Sequence, residues 1–153
     1  MSVDIRHARS GSGAACQSIL AGLSEWFGIP ASNAAYARLA EEGPAWTASE
    51  DGEPQGIMVL KAHFTTTIEI ELLAVRRDRH RSGVGRALVA AAESHARAHG
   101  ARFLTVKTRG PSLPYEPYER TRAFYEAVGF TALEEFIEIW GPENPALLMA
   151  MAL

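Results

Sequence analysis

A single cysteine, Cys16, leaves no partner for an intrachain disulfide, so the fold must stand on burial and hydrogen bonding. No nearby histidine stands in a nucleophile's relation to it, and it reads as a small buried residue of a helix. No apolar run approaches the roughly 20 residues that a membrane span requires. The segment Met1–Arg9 mixes charges with short apolar residues and lacks the apolar stretch of a signal peptide. These absences set the expectation of a cytoplasmic protein with no membrane partner. Repeats, low-complexity tracts and linkers are missing as well, so residues 1–153 read as one domain, long enough to bury a core without metal staples. A large charge excess is also lacking: the net charge of -3 gives no general reason to expect nucleic acid as a partner.

What is present is uneven. Five of the 15 lysines and arginines, namely Arg76, Arg77, Arg79, Arg81 and Arg86, fall within eleven residues. This is a local electropositive site on an acidic chain, and it requires a local explanation.

Periodicity supplies the framework. Val3–His7 alternates as a strand, and Ser12 is placed to cap a helix carrying Ile19, Leu20, Leu23 and Phe27 at helical spacing. A second short helix opens at Pro30 and closes at Gly43-Pro44. Ala45–Glu50 and Gln55–Phe64 form a hairpin about Asp51-Gly52, and a further strand runs from Thr66 to Val75. Ser82–His99 is the clearest helix, with Val84, Ala87, Leu88, Ala91, His95 and Ala98 in one stripe and Gly100 as its stop. A strand over Ala101–Lys107, a proline-rich loop over Arg109–Pro117 and a helix over Glu119–Val128 follow. Strands at Thr131–Trp140 and Ala146–Leu153 close the chain. The central strand–helix–strand unit implies a parallel pair and the hairpins imply antiparallel neighbours. The fold class is therefore α/β with a mixed α+β character: a central mixed sheet with helices on both faces.

The run from Leu73 to Leu88 is a strand, a basic loop with Gly83 and Gly85, and a helix start. The first N–H groups of a helix have no intrahelical partner, and the helix dipole adds positive charge there. Glycines let a ligand approach the backbone, so the combination suits a phosphate or pyrophosphate. A dinucleotide fingerprint would need a third glycine where Leu88 stands, and a P-loop would need Gly-Lys-Ser/Thr, which is missing. His95 and His99 have the i, i+4 spacing of metal ligands. However, Ala96 occupies the place of the glutamate in His-Glu-x-x-His and no third ligand is evident, so no metal is expected.

The stretch His80-Arg81-Ser82-Gly83-Val84-Gly85 resembles the acyl-CoA signature of the GNAT (GCN5-related) N-acetyltransferase superfamily, Arg/Gln-x-x-Gly-x-Gly/Ala, with His80 in place of the usual first residue. A second stretch, Thr121 to Phe130, resembles the family's Ala-x-x-Phe-Tyr-x-x-x-Gly-Phe motif, and the strand order resembles the family from about Val3 to Leu153. The resemblance implies a GNAT-like acyl-CoA N-acyltransferase fold and acetyl-CoA as cosubstrate. It also implies direct transfer of an acetyl group to a primary amine of a small molecule or protein. It further implies a fourth and fifth strand that splay apart, with the pantetheine arm bonded at Leu73 and Val75. The pyrophosphate would meet the main chain of Arg81, Ser82, Gly83, Val84, Gly85 and Arg86. Tyr118 stands where many members have a pantetheine-binding asparagine.

Acyl transfer requires a neutral amine and a protonated or tolerated thiolate. Glu69 and Glu71 share one face of their strand and are the candidate bases, Glu69 at the position where some family members carry theirs. Tyr125 matches the family tyrosine that protonates the thiolate. Trp26, Phe27 and Tyr36 lie in the region that covers the acceptor in the family, and the loop Arg109–Tyr118 offers further acceptor contacts. The family's final strands make a homodimer an open expectation. The competing class is a non-catalytic module: a CoA sensor, or an arginine-rich binder of nucleic acid.

Overall fold

The structure, a computed structural model, describes residues 3–153. Seven strands are hydrogen-bonded in the order β1-β2-β3-β4-β5-β7-β6: β1 Asp4–Ala8, β2 Ala45–Glu50, β3 Glu53–Phe64, β4 Thr67–Val75, β5 Phe103–Arg109, β6 Thr131–Phe136 and β7 Ala146–Ala152. Four α-helices accompany them: α1 Gly13–Ala21, α2 Pro30–Glu42, α3 Val84–Ala98 and α4 Glu116–Val128. Pairing is antiparallel for β1–β2, β2–β3, β5–β7 and β6–β7, and parallel for β4–β5, so the sheet is mixed as expected. Among the described residues no helix is long and apolar enough to cross a membrane.

The chain divides into two compact units, Met1–Lys61 with Glu71–Ser94, and Ala62–Ile70 with His95–Leu153. In the first, α1 and α2 close over strand residues. Cys16, Ile19, Leu20, Leu23, Ala40, Ala45, Ile57, Val59, Leu72 and Ala74 form the buried cluster, with Trp26, Phe27, Tyr36 and Leu39 packed against it. Each large aliphatic side chain buried there contributes roughly 1.5–3 kcal/mol relative to leaving it exposed to water. Cys16 is fully buried, and burial pushes its thiol up to about 11, the state of an inert core residue. In the second unit, Ile68, Ile70, Leu104, Val106, Tyr125, Phe130, Leu147, Met149 and Met151 are buried.

Four local expectations are corrected. Ser12 makes no side-chain cap; instead Glu41 of α2 accepts the Gly13 N–H at 3.2 Å. A Cβ on Gly13 would come within 2.8 Å of that carboxylate, so glycine is what admits the cap from the neighbouring helix. Next, α1 ends at Ala21, and Leu23, Trp26 and Phe27 reach the core from the turns that follow, which is why they kept a helical spacing. Helix α4 starts three residues early, at Glu116, because Pro117 sits in its first turn, where a missing N–H costs nothing. Finally, β6 stops at Phe136, whose register partner is Ala146, the first residue of β7; Ile137, Ile139 and Trp140 alternate like a strand but have no ladder to join.

Candidate active site

In the first unit the basic loop sorts its own charges. Arg77 pairs with Glu25 and lies over the Trp26 ring at 5.8 Å, Arg79 pairs with Glu50 and donates to Gln55 Oε1 at 3.3 Å, and Arg76 lies 3.5 Å from Asp78. Arg81 and Arg86 have no carboxylate partner among the described residues, and both are exposed. The uncompensated positive charge therefore stands at the start of α3. There the first helical bond is Ala87 N–H to the Gly83 carbonyl, leaving the N–H groups of Val84, Gly85 and Arg86 without an intrahelical acceptor. Gly83 holds φ 91° and Arg81 φ 63°, the left-handed turns that bring the chain from the 3₁₀ segment Arg77–Arg79 into the helix. A Cβ on Gly83 would meet nothing within 4 Å, so backbone conformation rather than crowding selects glycine there.

His80, the residue that departs from the signature, ties the loop to the strand before it. Its Nε2 lies 2.8 Å from the Val75 carbonyl oxygen and its ring meets Trp26 edge-on at 5.2 Å. Along β4, Leu72 and Ala74 face the core while Glu71, Leu73 and Val75 are half-buried on the other face. Glu71 makes no ion pair among the described residues. The ladder from β4 to β5 covers only Thr67 to Ile70, paired with Phe103 to Val106.

In the second unit Glu69 is almost enclosed, at 8% exposure, and both of its oxygens are engaged. Oε1 lies 2.6 Å from His63 Nε2 and Oε2 accepts from Lys107 Nζ at 2.9 Å. Burial pushes this carboxyl up, but the hydrogen bonds and charges of Lys107 and His63 outweigh it and hold Glu69 below its ordinary value. Tyr125 is buried in α4, its ring 5.4 Å from Phe124 and 5.5 Å from Phe130, and its carbonyl accepts the Phe130 N–H that closes the helix past Gly129. Tyr118 is half-buried one turn into the same helix, its ring 6.0 Å from Tyr115. In the loop before α4, Arg109 lies over Tyr115 at 4.9 Å, and Glu135 accepts the Ser112 N–H at 3.1 Å. The His95 and His99 rings lie 4.1 Å apart, tilted by 36°, with His99 Nδ1 against the His95 carbonyl, and the described residues hold no group of three metal-ligating side chains.

The sequence profile of the acetyltransferase (GNAT) family matches residues 17–130. The chain belongs to the GNAT acetyltransferase family. It is accordingly an acetyl-CoA-dependent N-acetyltransferase, with acetyl-CoA as its cosubstrate. No curated protein sequence matches the chain. Among solved structures it resembles a GNAT-family protein from Desulfovibrio desulfuricans at 22% identity and TM-score 0.85, over 99% of each chain. It also resembles the ribosomal-protein-S18-alanine N-acetyltransferase of Escherichia coli at 18% identity and TM-score 0.76, over 98% of this chain and 93% of that one. A GNAT acetyltransferase from Elizabethkingia anophelis with acetyl-CoA bound is similar at 18% identity and TM-score 0.74, over 99% of each chain. These likenesses establish the GNAT fold.

Two residues of this acetyltransferase's polar cluster, His63 and Lys107, were missed by sequence reasoning. Each comes from a different strand and lies 6 and 38 residues from Glu69, a contact that only the pairing of strands creates. β3 is buried as a block up to Leu60 and exposed from Lys61 to Phe64, so no alternation in the sequence singles His63 out.

Proposed function

We propose that this enzyme transfers the acetyl group of acetyl-CoA to a primary amine, of a small molecule or a protein, by direct attack. The observation that carries the cofactor half of the reading is the sorting of charge at the α3 start. Three arginines are held by carboxylates, while Arg81 and Arg86 stand beside N–H groups that have no helical acceptor. Such a cradle fits an anionic pyrophosphate. On this reading the main chain of Arg81, Ser82, Gly83, Val84, Gly85 and Arg86 receives the pyrophosphate. The pantetheine arm bonds to the backbone at Leu73 and Val75, and Tyr118 is a further candidate contact for the cofactor. His80 engages the Val75 carbonyl, which leaves the N–H groups of this stretch as the more available partners.

The chemistry needs few protein groups. The neutral amine nitrogen attacks the thioester carbonyl, a C–N bond forms and the C–S bond breaks. The departing thiolate takes a proton, for which the Tyr125 hydroxyl is the donor on this reading. The two β4 acids that the sequence offers as candidate bases, Glu69 and Glu71, differ in the structure: Glu69 is paired on both oxygens and Glu71 on neither. No covalent acyl-enzyme is required, since neither motif contributes a nucleophile. The reading is tested by thiol release from acetyl-CoA against a broad panel of amines and peptides, with the acetylated product weighed by mass spectrometry. Amine-dependent release matched by product supports it. Tight acetyl-CoA binding without release against any acceptor would instead describe a CoA sensor.

A further inference from the structure

We infer that His63 is the group that takes the proton released by the acceptor amine, and that Glu69 and Lys107 are its positioning residues. The inference rests on the amine acetylation proposed above. A carboxylate is a good base when its oxygens are open and its proton affinity is high. Glu69 has neither property: one oxygen faces His63 at 2.6 Å, the other accepts from Lys107 at 2.9 Å, and its side chain is only 10% exposed. Held below its ordinary value, Glu69 is an acceptor and not a donor, so the hydrogen of the short bond belongs to His63 Nε2. That choice of tautomer leaves the Nδ1 lone pair as the open basic site, and no group among the described residues occupies it.

The arrangement has the logic of a carboxylate-oriented histidine. The anion fixes the ring and its tautomer, so that Nδ1 is held ready to receive a proton. Lys107 in turn fixes the carboxylate and keeps it ionised. Imidazole is also the side chain whose ordinary pKa lies nearest the working pH, where a general base is most effective. The His63 side chain is 37% exposed, enough to meet an acceptor and to return its proton to water. The charged groups set against it are Glu69 on β4 and, behind Glu69, Lys107 on β5, with Lys61 two residues back on β3 itself. The cluster lies at the last rungs of the parallel ladder, where Glu69 pairs with Thr105 and Ile70 with Val106. Stability alone does not call for it, because a buried ion pair replaced by packed apolar groups often leaves a fold as stable or more so. In the proton balance, the ammonium form of the acceptor gives one N–H proton to Nδ1 and attacks as the neutral amine; its second N–H proton, released as the C–N bond forms and the C–S bond breaks, balances the one the thiolate takes and restores the Tyr125 hydroxyl. The imidazolium then returns its Nδ1 proton to solvent.

The test is the pH dependence of kcat/KM for the wild type, His63→Ala, Glu69→Gln and Glu71→Gln, with an acceptor found by thiol release. His63→Ala is expected to lose roughly 10²–10⁴-fold at neutral pH, to lose the acidic limb, and to regain rate when imidazole is added to the medium. Glu69→Gln should keep an acidic limb while the rate falls, because the ring loses the carboxylate that orients it. Acetyl-CoA affinity, measured by calorimetry, should be unchanged in both, which also shows that the variants are folded. If His63→Ala keeps the wild-type profile, or if Glu69→Gln or Glu71→Gln alone abolishes the limb, His63 is not the base. A wild type that binds acetyl-CoA but acetylates no amine removes the inference together with the reading beneath it, and that result is distinguished by the wild-type arm alone.

Discussion

Glu69 is the residue at which local chemistry and stability meet. Its folded pKa is depressed, so it contributes stability above the ordinary glutamate value of about 4.3, and that stability is lost as pH falls through its lower folded value. Glu69→Gln lacks this component. The stability gap between wild type and variant, followed by denaturant unfolding, is expected to be widest at neutral pH and to close in acid. A gap that stays constant from neutral to acidic pH would show that the carboxylate is not held by Lys107 and His63. Tyr125 poses the complementary case, a buried ring whose hydroxyl the proposed mechanism uses. Tyr125→Phe keeps the packing against Phe124 and Phe130 and should leave the unfolding midpoint nearly unchanged, while turnover falls by roughly 10²–10⁴-fold. Normal turnover would return Tyr125 to a packing role.

Among the elements, α3 depends on a glycine two strands away in sequence order. A Cβ on Gly56 of β3 would meet Val84 Cγ1 at 2.9 Å, Leu88 Cδ1 at 3.0 Å and the Ala74 carbonyl at 3.3 Å, so β3 and the first turns of α3 approach only because Gly56 has no side chain. Gly56→Ala is expected to destabilise by about 1–3 kcal/mol through overpacking, and to weaken acetyl-CoA binding because the strain falls on Val84. Unfolding and calorimetry on the same variant test this; full stability with full affinity would mean that the helix shifts without consequence. Elements were legible wherever one period dominated: α3 as a helix, the β2–β3 hairpin from Asp51-Gly52, and the basic loop from its composition; the buried face of α3 is nonetheless Val84, Leu88, Val89, Ala92 and Ala96, and of the expected stripe Ala87, Ala91 and His95 are half-buried and Ala98 exposed. They were misjudged where a distant partner decided the boundary. Glu41 replaced Ser12 as the cap of α1, and β7 rather than the alternation of Ile137, Ile139 and Trp140 set the end of β6. For the same reason Glu69 was visible in the sequence as a candidate and its two partners were not, since a strand states which face a residue takes but not what stands opposite it.

For the whole molecule, the five clustered arginines bear on the classes of function considered at the outset. A nucleic-acid surface needs several free cations and shows a steep salt dependence, whereas here three of the five arginines are already paired with carboxylates of the same chain. The family match and the geometry of the α3 start converge on acetyl-CoA. The central claim is that this loop receives the pyrophosphate. It is tested most directly by calorimetric titration of acetyl-CoA into wild type and Gly85→Glu, with circular dichroism to confirm the fold. Binding to the wild type and its loss in a folded Gly85→Glu variant is the predicted result, because the new side chain and its negative charge would stand where the pyrophosphate lies. Undiminished affinity in a folded variant would contradict the account and remove the loop from the site.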